Sequence, residues 1–274
     1  MLPHWKRNEL TVNGARLHFY RTGDGSKPPL VLAHGFSDDG LCWQPTAAEL
    51  EAEYDVILPD ARGHGFSERV RPGEPVDMAS DLAGIIRGLG LKRPIVGGHS
   101  MGAMVAFQLG VSYPELVRAL FLEDPPWWLP EQSDNSPTDA DDEHPMAELM
   151  RNITTHSMKE LLEQCHNEHP TWPEMVMLTW CSAKKRLDPN ILSILHIEGD
   201  DWLETVEKIA CPTLVFTADV EKGGIVTPEV EARVKELNSR ITFVHIAGVG
   251  HHIRFGSYTA YMQALRAFLD GIPT

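Results

Sequence analysis

The chain has 274 residues, 42% of them apolar, enough for one large α/β domain with a buried core, which excludes global disorder. Its formal net charge of −15 repels phosphate backbones and anionic lipid, arguing against nucleic-acid and membrane-surface partners. No stretch reaches the ~18 apolar residues of a membrane span, the opening MLPHWKRNEL does not read as a signal peptide, and the four cysteines form no CxxC, so a cytoplasmic protein with reduced thiols is expected.

Two β-rich segments, ELTV and LHFYRTG, open the chain. PPLVLAHG is a short apolar run ending in a glycine turn and reads as a buried strand. WQPTAAELEAEY reads as a helix, and DVILPDARGHG as a strand followed by a glycine-rich loop. VDMASDLAGIIRGLGL is an amphipathic helix starting near Asp77 and stopping at Gly90. PIVGGHSMGAMVAFQLGVSYP reads as strand, tight turn and helix, and VRALFLED as the next strand. This alternation implies βαβ units and a mostly parallel, doubly wound sheet, expected to have eight strands.

The rhythm then breaks. From Pro125 to about Glu207 the pattern is helical or irregular. PEQSDNSPTDADDEHP is acidic, rich in turn formers and reads as a loop. MAELMRNITTHSMKELLEQC, WPEMVMLTWCSAKKRL and PNILSILHIEGDDWLETVEKI are all helix-like. Strands resume with CPTLVFTAD and RITFVHIAG. The expected organisation is a core of residues 1–124 and 208–274, with residues 125–207 inserted as a helical cap.

The pentapeptide Gly98-His99-Ser100-Met101-Gly102 fits G-x-S-x-G between a strand and a helix. That spacing puts Ser100 on a sharp turn above the sheet, with glycines where strand and helix crowd together. The Met101 N–H, at the positive end of the helix, is one candidate donor to a substrate oxyanion. The second is the Phe36 N–H, in the loop after PLVLA. A general base is expected late in the chain, where FVHIAGVGHHIRF offers three histidines. His245 lies inside the strand pattern, His252 points away from its neighbour, and His251 is the choice.

Together, GHSMG, HGF after a strand, DARGHGFS after the next and GVGHH near the end resemble the α/β-hydrolase family over nearly the whole chain. The resemblance implies the α/β-hydrolase fold and a catalytic triad, makes the insertion the family's cap, and leaves Asp60, Arg62 and Ser67 as structural residues of their loop. Most members carry the acid after the strand that follows the cap, where Asp219 and Glu221 stand here. A subset, resembling N-formylmaleamate deformylases and some lactonases, carries it before the cap, 24 residues after the nucleophile, where FLEDPPWW holds Asp124. Strand alternation sends Glu123 and Asp124 to opposite sides, and Pro125 and Pro126 stiffen the exit. The acid is placed on Asp124, with Asp219 and Glu221 left open.

In the insertion, one of Trp127 and Trp128 is expected in the substrate pocket, while most of the other tryptophans and methionines pack the cap onto the core. His144, His156, His166 and His169 are expected on solvated faces, with no metal. The reading is a cofactor-independent serine hydrolase for a small-molecule ester, lactone or amide. A carbon–carbon bond hydrolase, a cofactor-free haloperoxidase and a non-catalytic receptor stay open, as does a homodimer. Epoxide hydrolase and haloalkane dehalogenase are disfavoured, because resemblance to them requires Asp where Ser100 stands.

Overall fold

The computed structural model describes residues 1–71, 73–129, 146–194 and 202–272. The first two strands, β1 (Lys6–Val12) and β2 (Ala15–Arg21), form an antiparallel hairpin. Its turn is Asn13-Gly14, both at positive φ, as a two-residue hairpin demands. Then follow β3 (Pro29–Ala33), β4 (Asp55–Pro59), β5 (Ile95–His99), β6 (Ala119–Glu123), β7 (Thr213–Ala218) and β8 (Ile241–Ile246). The eight-stranded sheet has the order β1-β2-β4-β3-β5-β6-β7-β8, and every pairing from β4 to β8 along that order is parallel.

Helices cover both faces, which is why the central strands read as unbroken apolar runs. Helices α1 (Gln44–Leu50) and α8 (Tyr258–Asp270) bury Ala47, Leu50, Tyr261, Leu265 and Leu269 on one face. Helices α2 (Met78–Gly88), α3 (Met101–Ser112) and α7 (Pro228–Leu237) bury Leu82, Ile86, Ala106, Val230 and Val234 on the other. Asp77 caps α2 from its side chain, as its place before the apolar pattern predicts.

Between β6 and β7 lie α4 (Ala147–Thr155), α5 (Met158–Glu168) and α6 (Glu174–Lys184). The sequence pattern runs α4 and α5 together. They separate because Ser157 and Glu160 form a capping box that starts a new helix. The acidic loop, residues 130–145 with His144, and the HIEGDD stretch around 196–201 lie outside the described residues. The exit from α6 is tied to the core by polar contacts. Lys184 Nζ donates to Ser37 Oγ at 2.9 Å, Arg186 Nε to Asp39 Oδ2 at 3.0 Å, and Val70 N to Asp188 Oδ2 at 2.8 Å.

Alternation at the end of β6 turns Glu123 toward Arg254, in the short helical turn Ile253–Gly256. Both are buried, and Glu123 accepts from Arg254 N at 2.9 Å and Nη1 at 2.6 Å. The guanidinium also lies 4.0 Å from the Trp43 ring centroid. A buried pair costs most when it loses one member, because the other charge is stranded. Arg254→Met is therefore expected to cost about 3–5 kcal/mol. The double variant Glu123→Leu/Arg254→Met should recover most of that loss, and urea unfolding of the three proteins reads both numbers. A double variant no more stable than the single would contradict this account.

Candidate active site

Ser100 follows β5 with φ 52° and ψ −120°, a backbone region that costs any side chain but glycine. Its N–H is held by Glu123 O at 2.9 Å, and its own carbonyl accepts from Ala103 and Met104, opening α3. The turn fits only because its neighbours lack side chains. A Cβ on Gly98 would lie 2.1 Å from Gly102 O, and one on Gly102 would lie 2.4 Å from Ala33 O. The start of α3 thus packs directly on the end of β3.

Asp124 follows the neighbouring strand in the same left-handed region, with φ 45°. Its N–H bonds Phe216 O at 3.0 Å. Its buried carboxylate accepts from Ile225 N at 3.0 Å, Val226 N at 3.1 Å and the His251 ring at Nδ1, 2.6 Å. A buried carboxylate needs such donors, and here they also fix its orientation. His251 lies in the loop after β8, and its side chain keeps a quarter of its surface open. With Nδ1 donating to Asp124, Nε2 is left as the basic nitrogen. Among the described residues no hydrogen bond joins Ser100 Oγ to His251; nucleophile and base often close only around a substrate.

The competing acids are elsewhere. Asp219 accepts from Gly248 N at 2.8 Å and pairs with His245 Nε2 at 3.0 Å, bracing the turn after β8. Glu221 is exposed on a short 3₁₀ turn. His252 is half-buried among His99, Trp172 and Phe255.

Phe36 leaves β3 through Gly35. Its carbonyl contacts the ring nitrogen Nε2 of His64, and its ring packs beside Val70, Met150 and Ile153. Asp60 of DARGHGFS braces the end of this loop, accepting from Gly40 N at 2.8 Å as well as from Phe66 N at 2.9 Å, while Arg62 ties DARGHGFS to α2 through Asp81. His64 and His99 were not singled out from the sequence. A histidine in a glycine-rich loop or strand end signals nothing until its partner is known, and the partners lie 28 and 152 residues away.

The two tryptophans after β6 lie in different surroundings. Trp127 is fully buried and belongs to the core. It stacks on Trp202 with centroids 5.0 Å apart and meets Phe107 of α3 edge-on at 5.3 Å. The cause is a tight turn in which Trp127 N bonds Pro125 O at 2.7 Å, folding the indole back onto α3. Trp128 is 40% exposed. The inserted histidines take local partners: His156 Nδ1 contacts Asn152 O, His166 contacts Leu162 O and Glu174, and His169 stacks on Trp172. Among the described residues no group of three or more His, Cys, Asp or Glu side chains could hold a metal ion.

The family model described as alpha/beta hydrolase fold matches residues 28–256. The chain is 35% identical over 118 residues to the soluble epoxide hydrolase of Corynebacterium sp. (strain C12), covering 43% of this chain and 41% of that protein. It spans about a third of the length of several other curated relatives it matches. Among solved structures, the N-formylmaleamic acid deformylase of Pseudomonas putida S16 superposes with a TM-score of 0.78 at 22% identity, over 95% of this chain and 100% of that one. A thermophilic esterase from Thermogutta terrifontis gives 0.72 at 27% identity, over 98% and 100%.

Two outcomes follow from this geometry. Asp124→Asn should lower kcat by about 10⁴-fold through the wrong imidazole tautomer, with Asp219→Asn within about threefold of wild type in kcat and lower only in melting temperature. The reverse ranking would move the acid to Asp219. Lys184 supplies the second. Burial pulls its ammonium down from 10.5 to about 8, so its cost is full below pH 8 and gone above 10.5. Lys184→Met should stabilise the fold at pH 7 by up to roughly 3 kcal/mol. That gain should shrink through pH 8 to 10.5 in denaturant titrations, and a pH-independent difference would refute it.

Proposed function

The chain belongs to the alpha/beta hydrolase fold family, and from that premise we propose that it is a serine hydrolase cleaving a carboxylic ester, lactone or small amide through an acyl-enzyme on Ser100. The observation that carries the reading is the 2.6 Å contact between His251 Nδ1 and Asp124, set at the strand ends beside the strained Ser100 turn. The Ser100 hydroxyl attacks the substrate carbonyl carbon while His251 Nε2 takes its proton. Asp124 keeps the imidazole in the Nδ1–H tautomer and stabilises its charged form. The N–H groups of Phe36 and Met101 receive the oxyanion, the largest electrostatic contribution in this type of chemistry. His251 passes the proton to the leaving oxygen or nitrogen, the carbon–heteroatom bond breaks, and the acyl group stays on Ser100. Water, deprotonated by His251, attacks the acyl carbonyl and frees the acid and the serine. Residues 125–207 act as the cap, with Met150 and Ile153 of α4 packed with Phe36 and Lys184 of α6 bonded to Ser37 in the same loop.

Likeness to an epoxide hydrolase does not extend to the bond cleaved. A serine oxygen that opens an epoxide makes an ether, which offers water no carbonyl to attack. A carboxylate at the same place makes an ester, which does. Ser100 therefore directs the site to carbonyl substrates.

Initial rates on p-nitrophenyl esters from acetate to laurate, and on simple lactones, test the reading in wild type and Ser100→Ala. Turnover should fall by roughly 10⁴-fold or more in the variant. A folded wild type silent on every ester and lactone would sink the ester and lactone reading.

A further inference from the structure

We infer that His99 is a positioning residue that ties the main chain of His251 to the Ser100 turn; this rests on the triad proposed above. His99 is the last residue of β5 and immediately precedes Ser100. Its ring is buried, with its centroid 4.6 Å from that of His251 and 5.0 Å from that of His252. Its Nε2 lies 3.1 Å from the carbonyl oxygen of His251.

A carbonyl oxygen can only accept, so Nε2 must carry the proton. Burial, and next the charge of Arg254, pull the ring well below the ordinary imidazole value and keep it neutral, with one N–H to give. The single tautomer follows: Nε2 donates to His251, and Nδ1 carries the lone pair. Nδ1 is buried without a hydrogen-bond partner and faces Gly35, where a Cβ would come within 2.8 Å of it. One ring therefore touches three parts of the site. It is covalently next to the nucleophile, hydrogen-bonded to the chain of the base, and packed on the loop that presents Phe36.

Asp124 fixes the His251 ring at Nδ1 but does not fix its backbone, which sits in a loop. The His99 bond supplies the second point of attachment. Two points define where Nε2 of His251 lies relative to Ser100 Oγ. A shift of about 1 Å in such a pair can cost on the order of 10² in rate.

Three variants separate this role from mere packing. His99→Phe keeps the ring volume and the stacking but removes the donor. His99→Gln returns an amide N–H at the place of Nε2, and His99→Asn offers one at the place of Nδ1. Each is compared with wild type by melting temperature, by the rate at which a fluorophosphonate labels Ser100, and by kcat and KM on the best p-nitrophenyl ester. His99→Phe should melt near wild type and lose about 10- to 100-fold in labelling rate and kcat, with KM little changed. Gln should restore most of the loss and Asn should not. Wild-type labelling in His99→Phe would overturn the inference, as would equal losses in all three variants. A wild type whose Ser100 does not label at all would overturn it too. A wild type that labels but turns over no ester removes the proposed reaction alone, and the labelling rates still decide the role of His99.

Discussion

Ser100 and Asp124 both carry a left-handed backbone, at the ends of adjacent parallel strands. Each such kink in a residue with a side chain costs about 1–3 kcal/mol and persists only where its surroundings hold it. Here the sheet does so. Ser100 N is bound to Glu123 O, and Asp124 N to Phe216 O, so each kink is pinned by the next strand along. The register of β5 on β6 and of β6 on β7 thereby sets where the hydroxyl and the carboxylate sit. The same kinks stop the strands, turn both side chains above the sheet and open α3 immediately beyond Ser100.

Around these two points the protein spends polar side chains rather than apolar ones. Glu123 and Arg254 form a buried pair one residue from Asp124 and three from His251. Asp60 and His64 brace the loop of Phe36, and Arg62 pairs with Asp81 of α2. Buried polar groups with fixed partners have few alternative arrangements, so they hold their neighbours in one place. Lys184 is the exception: it is buried with one hydrogen bond to Ser37 and its ammonium over the Trp180 ring, and desolvation lowers its pKa where α6 meets the Phe36 loop. That contact joins the inserted helices to the loop proposed to hold the oxyanion.

Fold and reaction separate cleanly here. The chain is similar to proteins named as an esterase, a deformylase and an epoxide hydrolase, and the frame alone does not choose among such reactions. In the proposed mechanism the choice falls to single atoms: an alcohol oxygen at residue 100 would make an intermediate that water can reverse only if the substrate supplies a carbonyl. Beside the Ser100 turn, Phe36 packs with Met150 and Ile153 of α4, so the inserted helices reach the loop after β3.

What the sequence determined by itself was local. Buried runs of four to six apolar residues gave the parallel strands, Asp77 marked the start of α2, and G-x-S-x-G between a strand and a helix marked the Ser100 turn, because each depends on neighbours a few residues apart. Alternation established that only one of Glu123 and Asp124 could face His251. The tertiary structure decided what depends on distant partners. The sequence leaves Asp219 and Asp124 both reasonable as the acid; in the structure the loop of Ile225 and Val226 feeds its amides to Asp124, beside His251, while Gly248 and His245 bond Asp219, which supports the proposed choice. The place of Trp127 and Trp128 after the strand does not say which of them faces a substrate, and a three-residue turn sends Trp127 into the core. His99 and His64 had no signature at all, since a ring nitrogen acquires a role only from the carbonyl it meets, and folding alone brings that carbonyl to it.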